Sequence, residues 1–407
     1  MRIWVVRDLE PIPTDRDPRL FRAGMFAQAL AESGHETTWF TSTFSHYTRE
    51  NRPAGTFQVN DGLTINVLPA PGYKSNIGLP RIIHNHLFAR RFLKHANSAT
   101  ALPDLIVTDL PTTETASAAV GFAVRKNLPV VVSIRDLWPD FFADFVPAWS
   151  RPAARLVMKP LEAQARFACR HATSLIGISQ GYLAWGQAKG GRRDTTRDRV
   201  FPLGYQRSAV PTSAELEKFC LELNVSPGQH LVSFIGSWGA TYDLELLLET
   251  AQKLSGRPDI VFLLAGNHAS RPRLSEAFSR LPNVRLAGWI GPEKVAACLG
   301  HSAIGLLPYV ASAPQGLPNK IFEYMAYGAY QIATLAGDAA ALYAETGAGT
   351  TIPSGDPSAL AAAIEKAIVE NAGQSERQRR ISIFDERFDA RRIYRDMVAH
   401  VTALAQR

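Results

Sequence analysis

The amino-acid sequence predicts an α/β protein made of two doubly wound parallel sheets, and three observations carry that expectation. The chain has 407 residues, more than one hydrophobic core usually supports, so two domains of roughly 200 residues are the default. Short, continuous apolar runs alternate with helix-period patterns, which is how parallel strands covered on both faces by helices read. Those runs fall into two sets, separated by the Pro-, Gly- and polar-rich stretch FPLGYQRSAVP at 201–211.

In chain order, the first set of expected strands is Ile3–Val6, Thr37–Thr41, Leu105–Thr108, Val130–Ile134 and Leu175–Ile178. The second is Val232–Ile235, Val261–Ala265, Val284–Leu286, Ala303–Leu307 and Gln331–Thr334. The tail RFDARRIYRDMVAHVTAL has apolar positions at helical spacing. The expected partition is therefore 1–205, 206–385 and a terminal helix in 386–407.

Composition narrows the class. With 46% hydrophobic and 20% charged residues the chain is an ordinary globular protein, not a disordered one. Its three cysteines, Cys169, Cys220 and Cys298, are far apart and match no zinc spacing, so a reduced cytosolic protein is the simplest account. Met1–Arg2 opens directly into a strand with no apolar signal core, and no apolar run approaches the ~20 residues that span a bilayer. There is no G-x-S-x-G, P-loop lysine or H-E-x-x-H motif, and the ten histidines form no ligand cluster, so no metal is expected.

The net charge of +7 raises the question of an anionic partner. From Tyr73 to His95, Lys74, Arg81, Arg90, Arg91 and Lys94 interleave with Ile82, Ile83, Leu87, Phe88, Phe92 and Leu93. Two readings are open: an amphipathic helix docked on anionic lipid, and a core helix with a solvated basic edge. Nucleic acid is not expected, since no recognised binding module is present.

The most informative segment is GLPNKIFEYMAYG, Gly316–Gly328. Proline suits a first helical position because its φ is already helical and its missing N–H had no partner there, so the spacing predicts a helix from Pro318. The unpartnered first-turn N–H groups and the helix dipole favour a phosphate, and Lys320 adds a point charge. Glu323, one turn deeper on the same face, can accept two ribose hydroxyls. The bland alternative is a surface Lys–Glu pair.

This segment resembles the donor-binding helix of the family 4 retaining glycosyltransferases, GT-B enzymes that use nucleotide-diphosphate sugars, and within them a bacterial surface-polysaccharide branch. RIWVVRDLEPIP, ALAESGHETTWFTS, PDLIVTDLPTTETA, VVVSIRDLWPDFF, LIGISQGY, FPLGYQ, SFIGSWG, DIVFLLAGNH, NVRLAGWIGPEKV and IGLLPY extend the likeness over nearly the whole chain. It implies two Rossmann-like domains facing across a cleft, the first binding acceptor and the second donor, with the terminal helix crossing back to the first. The implied donor residues are Gly236, Ser237, Gly239, Gly266, Gly288, Trp289, Gln315, Gly316, Leu317, Asn319, Lys320 and Glu323. Among these, Gly236 and Gly239 let the backbone approach a diphosphate. Gly288 and Trp289 belong to a loop that reads the base, Trp289 stacking on it or packing.

An HD-like pair of the family is Arg135-Asp136 here. Asp136 is the candidate for orienting the acceptor hydroxyl and Arg135 for contacting diphosphate or acceptor. A charged pair that merely closes the strand end is the alternative. Other departures matter more. Many members carry two glutamates eight positions apart, where this chain has Gln315 and Glu323. The usual arginine and lysine after the strand at 232–235 are missing from SWGATYD, which leaves Lys320 and the helix N-terminus more of the diphosphate's charge, aided by Arg16 or Arg19. A glycine pair of the family is replaced near Asp17-Pro18. The reading is thus a metal-independent transferase that needs no cofactor and moves a sugar from a nucleotide donor, a UDP-sugar above all, to a lipid-linked or growing saccharide. The alternatives are an epimerase or hydrolase of the same architecture and a non-catalytic homologue.

Overall fold

A computed structural model describes residues 1–16, 18, 20–75, 78–140, 149, 151–207, 211–313 and 316–406, with backbone alone at 154 and 155. The chain forms two compact units, Met1–Pro202 with Arg391–Arg407, and Leu203–Ala390. The second unit thus starts and ends slightly off the expected 206 and 385, for a local reason. Tyr205 N donates to Phe388 O at 3.0 Å and Ala390 N to Tyr205 O at 3.1 Å, so these segments pair with each other.

In the first unit the strands are β1 (Arg2–Val6), β2 (Glu36–Ser42), β3 (Gly55–Asn60), β4 (Leu63–Leu68), β5 (Leu105–Leu110), β6 (Val130–Ile134), β7 (Ser174–Gly177) and β8 (Arg199–Val200). They lie in the order β3-β4-β2-β1-β5-β6-β7-β8. Every neighbouring pair is parallel except β3 with β4. That hairpin, absent from the expectation, adds one antiparallel edge strand to an otherwise parallel sheet. Its signal was Asp61-Gly62 between two β-rich runs, a tight-turn dipeptide. Helices α1 (Arg22–Glu32), α2 (Leu79–Ser98), α3 (Thr113–Lys126), α4 (Arg151–His171) and α5 (Gln180–Gly190) belong to the same unit.

Ring packing closes this core. Trp4 of β1 meets Phe40 at 5.1 Å and Phe122 at 5.9 Å, and Phe92 of α2 meets Phe40 at 5.3 Å between centroids. α2 begins after Gly78, whose φ is 148°, not at Tyr73, which is a buried loop residue.

The second unit holds β9 (His230–Ile235), β10 (Ile260–Ala265), β11 (Val284–Gly288), β12 (Ser302–Leu307), β13 (Tyr330–Ala333) and β14 (Gly349–Thr351) in the parallel order β11-β10-β9-β12-β13-β14. Its helices are α6 (Ser213–Glu222), α7 (Leu244–Lys253), α8 (Pro272–Ser279), α9 (Pro292–His301), α10 (Asn319–Ala326), α11 (Asp338–Thr346), α12 (Pro357–Asn371) and α13 (Gln374–Arg387). The last helix, α14 (Ala390–Ala405), belongs to the first unit from Arg391 onward. There His400 Nε2 lies 3.1 Å from Ser174 Oγ, and Arg22 Nη2 lies 3.7 Å from Met397 Sδ.

In both sheets the strand order reverses direction, at β1/β5 and at β9/β12. Ligands of doubly wound folds bind outside the carboxyl ends of strands at such points.

Candidate active-site residues

At the carboxyl ends of β9, β10 and β11, three glycine turns interlock. Gly236 N donates to Ala265 O at 2.9 Å, and Gly266 N to Gly288 O at 2.7 Å. Gly266 adopts φ 140° and Gly288 φ 63°, conformations costly for a side chain. A Cβ on Gly266 would sit 1.8 Å from Gly236 O, so the loops can approach this closely only as glycines.

α10 brings its side chains to the same place. Pro318 is its N-cap, with φ −73° and ψ 149°, and the helix starts at Asn319 rather than at Pro318. Tyr324 fixes α10 on the sheet: its ring fills the space a Cβ on Gly305 of β12 would need, and its hydroxyl accepts from Ile235 N at 3.0 Å. Lys320 Nζ donates to Ile235 O, and stands 5.9 Å from the Phe234 ring and 5.8 Å from the Tyr242 ring. The ammonium therefore sits in the Gly236 turn at the switch point. Glu323, one turn on, is half-buried, as are Gly236, Gly239 and Gly316, whereas Ser237 and Asn319 are exposed and Leu317 is buried. Trp289 is 79% exposed, which rules out the packing role. Gln315, with Asp17 and Arg19, lies outside the described residues.

The first unit presents a charged network at the ends of β1, β5 and β6. Arg135 Nη1 donates to Glu10 and, at 3.1 Å, to Asp109 Oδ2, so its partners are these two acids rather than Asp136. Arg7 Nε lies 3.5 Å from both acids as well. Glu10 is held below the usual carboxylate range: burial pushes it up, but the Arg135 and Arg7 charges more than offset this. Asp136 accepts from Leu137 N at 2.9 Å, and burial pushes its carboxyl up despite the Arg81 and Arg7 charges nearby.

Behind these, Asp8 and His84 are fully buried and bonded, Nε2 to Oδ2 at 3.2 Å, while His84 Nδ1 donates to Pro71 O at 2.6 Å. Asp8 Oδ1 has no hydrogen-bond partner among the described residues. Tyr73 and His46 share a hydrogen bond of 2.7 Å.

With this geometry in place, the comparisons are direct. The family described as "Glycosyl transferases group 1" matches residues 229–370, and the "Glycosyl transferase 4-like domain" matches residues 21–204. The chain is a glycosyltransferase of GT-B type. No curated protein matches it significantly. The glycosyltransferase shares its fold with the sucrose-phosphate synthase of Thermosynechococcus elongatus, at 18% identity over 99% of this chain and 98% of that one, with a TM-score of 0.68. HepE of Anabaena, solved with UDP-glucose, gives 16% identity over 99% of both chains and a TM-score of 0.65. WaaG, a glycosyltransferase involved in lipopolysaccharide biosynthesis, gives 14% identity, 99% and 100% coverage and a TM-score of 0.66.

The basic helix of the glycosyltransferase divides into two parts. Phe88 and Phe92 are buried against the sheet, which leaves Arg90, Arg91 and Lys94 exposed on the outer side of the second half of α2. Its first turns differ, for Leu79, Ile82 and Ile83 are exposed. Among the described residues, no helix is long and apolar enough to cross a membrane. Asp8, Glu10, His84, Asp109 and Glu114 escaped the sequence reading. The only sequence signal was acidic residues just past strand ends, which is weak alone.

Proposed function

We propose that this glycosyltransferase moves a sugar with retention of configuration from a nucleotide-diphosphate donor, a UDP-sugar, to a lipid-linked or growing saccharide acceptor in bacterial surface-polysaccharide synthesis. One observation carries the donor reading: the Lys320 ammonium lies in the Gly236 turn, where the sheet order reverses and three glycine turns meet. HepE, of the same fold, was solved with UDP-glucose. In this reading Lys320 and the start of α10 hold the diphosphate, Glu323 takes the ribose hydroxyls, and the Gly288-Trp289 loop meets the base.

Departure of the diphosphate builds negative charge that a fixed cation and helix N–H groups can stabilise without a metal ion. The leaving phosphate then accepts the proton of the acceptor hydroxyl on the same face, with Asp136 orienting that hydroxyl. Arg135 acts through Glu10 and Asp109, holding the ends of β1, β5 and β6 together. WaaG, of the same fold, acts in lipopolysaccharide biosynthesis, and the exposed basic residues of α2 suit work at an anionic membrane in the cytoplasm.

A ligand that binds only the folded state raises its apparent stability. UDP and UDP-sugars should therefore raise the melting temperature more than GDP, ADP or their sugars at equal concentration. No rise with any nucleotide would overturn the donor reading. Release of UDP that does not increase when acceptor is added would mark a hydrolase instead.

A further inference from the structure

The helices on one face of the first unit leave an apolar slot unfilled. α3 packs against both α2 and α4. Over the start of α3 the two outer helices leave a groove of about 450 Å³, walled by Ile82, Ile83 and Leu87 of α2 and by Pro160 and Leu161 of α4. Its polar lining includes Glu114, four residues beyond the end of β5. Glu114 is 7% exposed; Oε2 accepts from Asn85 and Thr113 at 3.3 Å, the carboxyl also faces its own backbone N–H, and Oε1 has no side-chain donor among the described residues. A buried carboxyl oxygen without a side-chain donor, in a groove whose other polar lining is His86 and Gln164, offers an acceptor to a ligand. Along α4, Leu156 and Val157, one helical turn before Pro160 and Leu161, are 62% and 71% exposed.

Charge is one-sided around it. α2 carries Arg81, Arg90, Arg91 and Lys94 with no acid, and α4 carries Arg151, Lys159, Arg166 and Arg170 against the single acid Glu162, already paired with Lys189 and Arg166. Arg81 is the link between slot and site. It precedes Ile82 and Ile83 directly, its guanidinium stacks 4.4 Å over the Trp138 ring, and its charge is felt at Asp136.

We propose that the slot holds the apolar chain of an amphiphilic acceptor, whose anionic, phosphate-type linkage lies at Arg81 and whose sugar end thereby reaches Asp136. This rests on the transferase reading and adds to it the acceptor's class and seat, a single chain in the groove. Glu114 Oε1 accepts a hydrogen bond from a hydroxyl or amide near the head of that chain. The same arginine that screens Asp136 would neutralise the linkage.

The test is direct binding, without donor or turnover. Dodecyl phosphate, kept below its micelle concentration, should bind one to one by calorimetry or native mass spectrometry. Ile83→Asp should weaken it at least tenfold, and because Ile83 is already half exposed the variant should fold, as an unchanged melting temperature and UDP response would verify. Val369→Asp, on an exposed site of α12, should leave binding as it is. Arg81→Gln should weaken dodecyl phosphate while sparing dodecyl maltoside, which has the same chain and no charge. Equal binding to wild type and Ile83→Asp overturns the slot, as does binding to anionic vesicles with none to the monomeric amphiphile. Should UDP stabilise the protein while dodecyl phosphate fails to bind, the slot falls and the donor reading stands. The reverse result removes the donor reading and leaves an amphiphile-binding groove.

Discussion

Lys320 fills the space that a side chain on Gly236 would need: a Cβ there would lie 2.8 Å from the lysine's Nζ. Gly236→Ala should therefore displace the ammonium and act on the same ligand group as Lys320→Ala. Both variants should weaken UDP binding by roughly 1.5–3 kcal/mol, the range for charge-assisted hydrogen bonds, and barely change binding of uridine. Isothermal calorimetry with the two ligands decides, and equal losses for both would point to a folding defect.

Glu323 sits one turn beyond Lys320 on the same helix face. Replacing it by alanine should lower affinity for UDP and uridine alike, by about 1.5–3 kcal/mol. A folded variant with wild-type affinity for both would remove Glu323 from the ribose.

His46 gives a pH dependence with a definite sign. Burial and the charges of Arg81, Arg49 and Arg7 lower its pKa from 6.5 to about 4. The folded state thus resists its protonation. The stability involved is complete above the unfolded value and is lost as pH falls from 6.5 towards 4. The ring is half-buried, so solvent screening limits the effect to the order of 1 kcal/mol. Urea unfolding at pH 7 and pH 5 should show His46→Asn losing less stability between the two than wild type; parallel losses would show that other groups govern the slope.

Gly266→Ala places a Cβ against Gly236 O in a conformation side chains avoid. Strain and clash together should cost about 3 kcal/mol or more, a fall on the order of 10 °C in melting temperature for a unit of this size. Differential scanning calorimetry would register it. A shift within error would mean that the three glycine turns are not interlocked as described.

Exposed Arg90, Arg91 and Lys94, with Leu79, Ile82 and Ile83 nearby, should hold the protein on anionic vesicles at low salt, each charge contributing ~1 kcal/mol. Changing the three basic residues to glutamine, or raising the salt, should release it in flotation assays. Wild-type protein that ignores such vesicles would assign these residues to a solvated helix edge alone.

Reading the chain forward succeeds where local pattern decides the outcome. All ten expected strands exist, because a parallel strand buried on both faces is a continuous apolar run. The hairpin β3–β4 lies at the sheet edge, with alternating exposure, and announces itself only through Asp61-Gly62. The glycine turns and Lys320 were legible because turn chemistry is local. Arg135 was legible as a charge, but its partners Glu10 and Asp109 lie 125 and 26 residues away, and no spacing rule links them. The Asp8–His84 pair spans 76 residues and the slot needs three packed helices, so both become visible only once the sheet is assembled.

The return of residues 391–407 to the first unit sets an order of events on the ribosome. Arg22, buried near the start of the chain, donates to Phe201 O and Pro202 O at 3.0 and 2.9 Å and stacks 6.0 Å from Tyr394. Domains tend to fold as they emerge, yet this one lacks its closing helix until residues 391–407 are made. The second unit, wholly contained in 203–390, is complete first. The half synthesised earliest is thus completed after its neighbour, and until residues 391–407 emerge Arg22 lacks Tyr394 and Ser174 lacks His400.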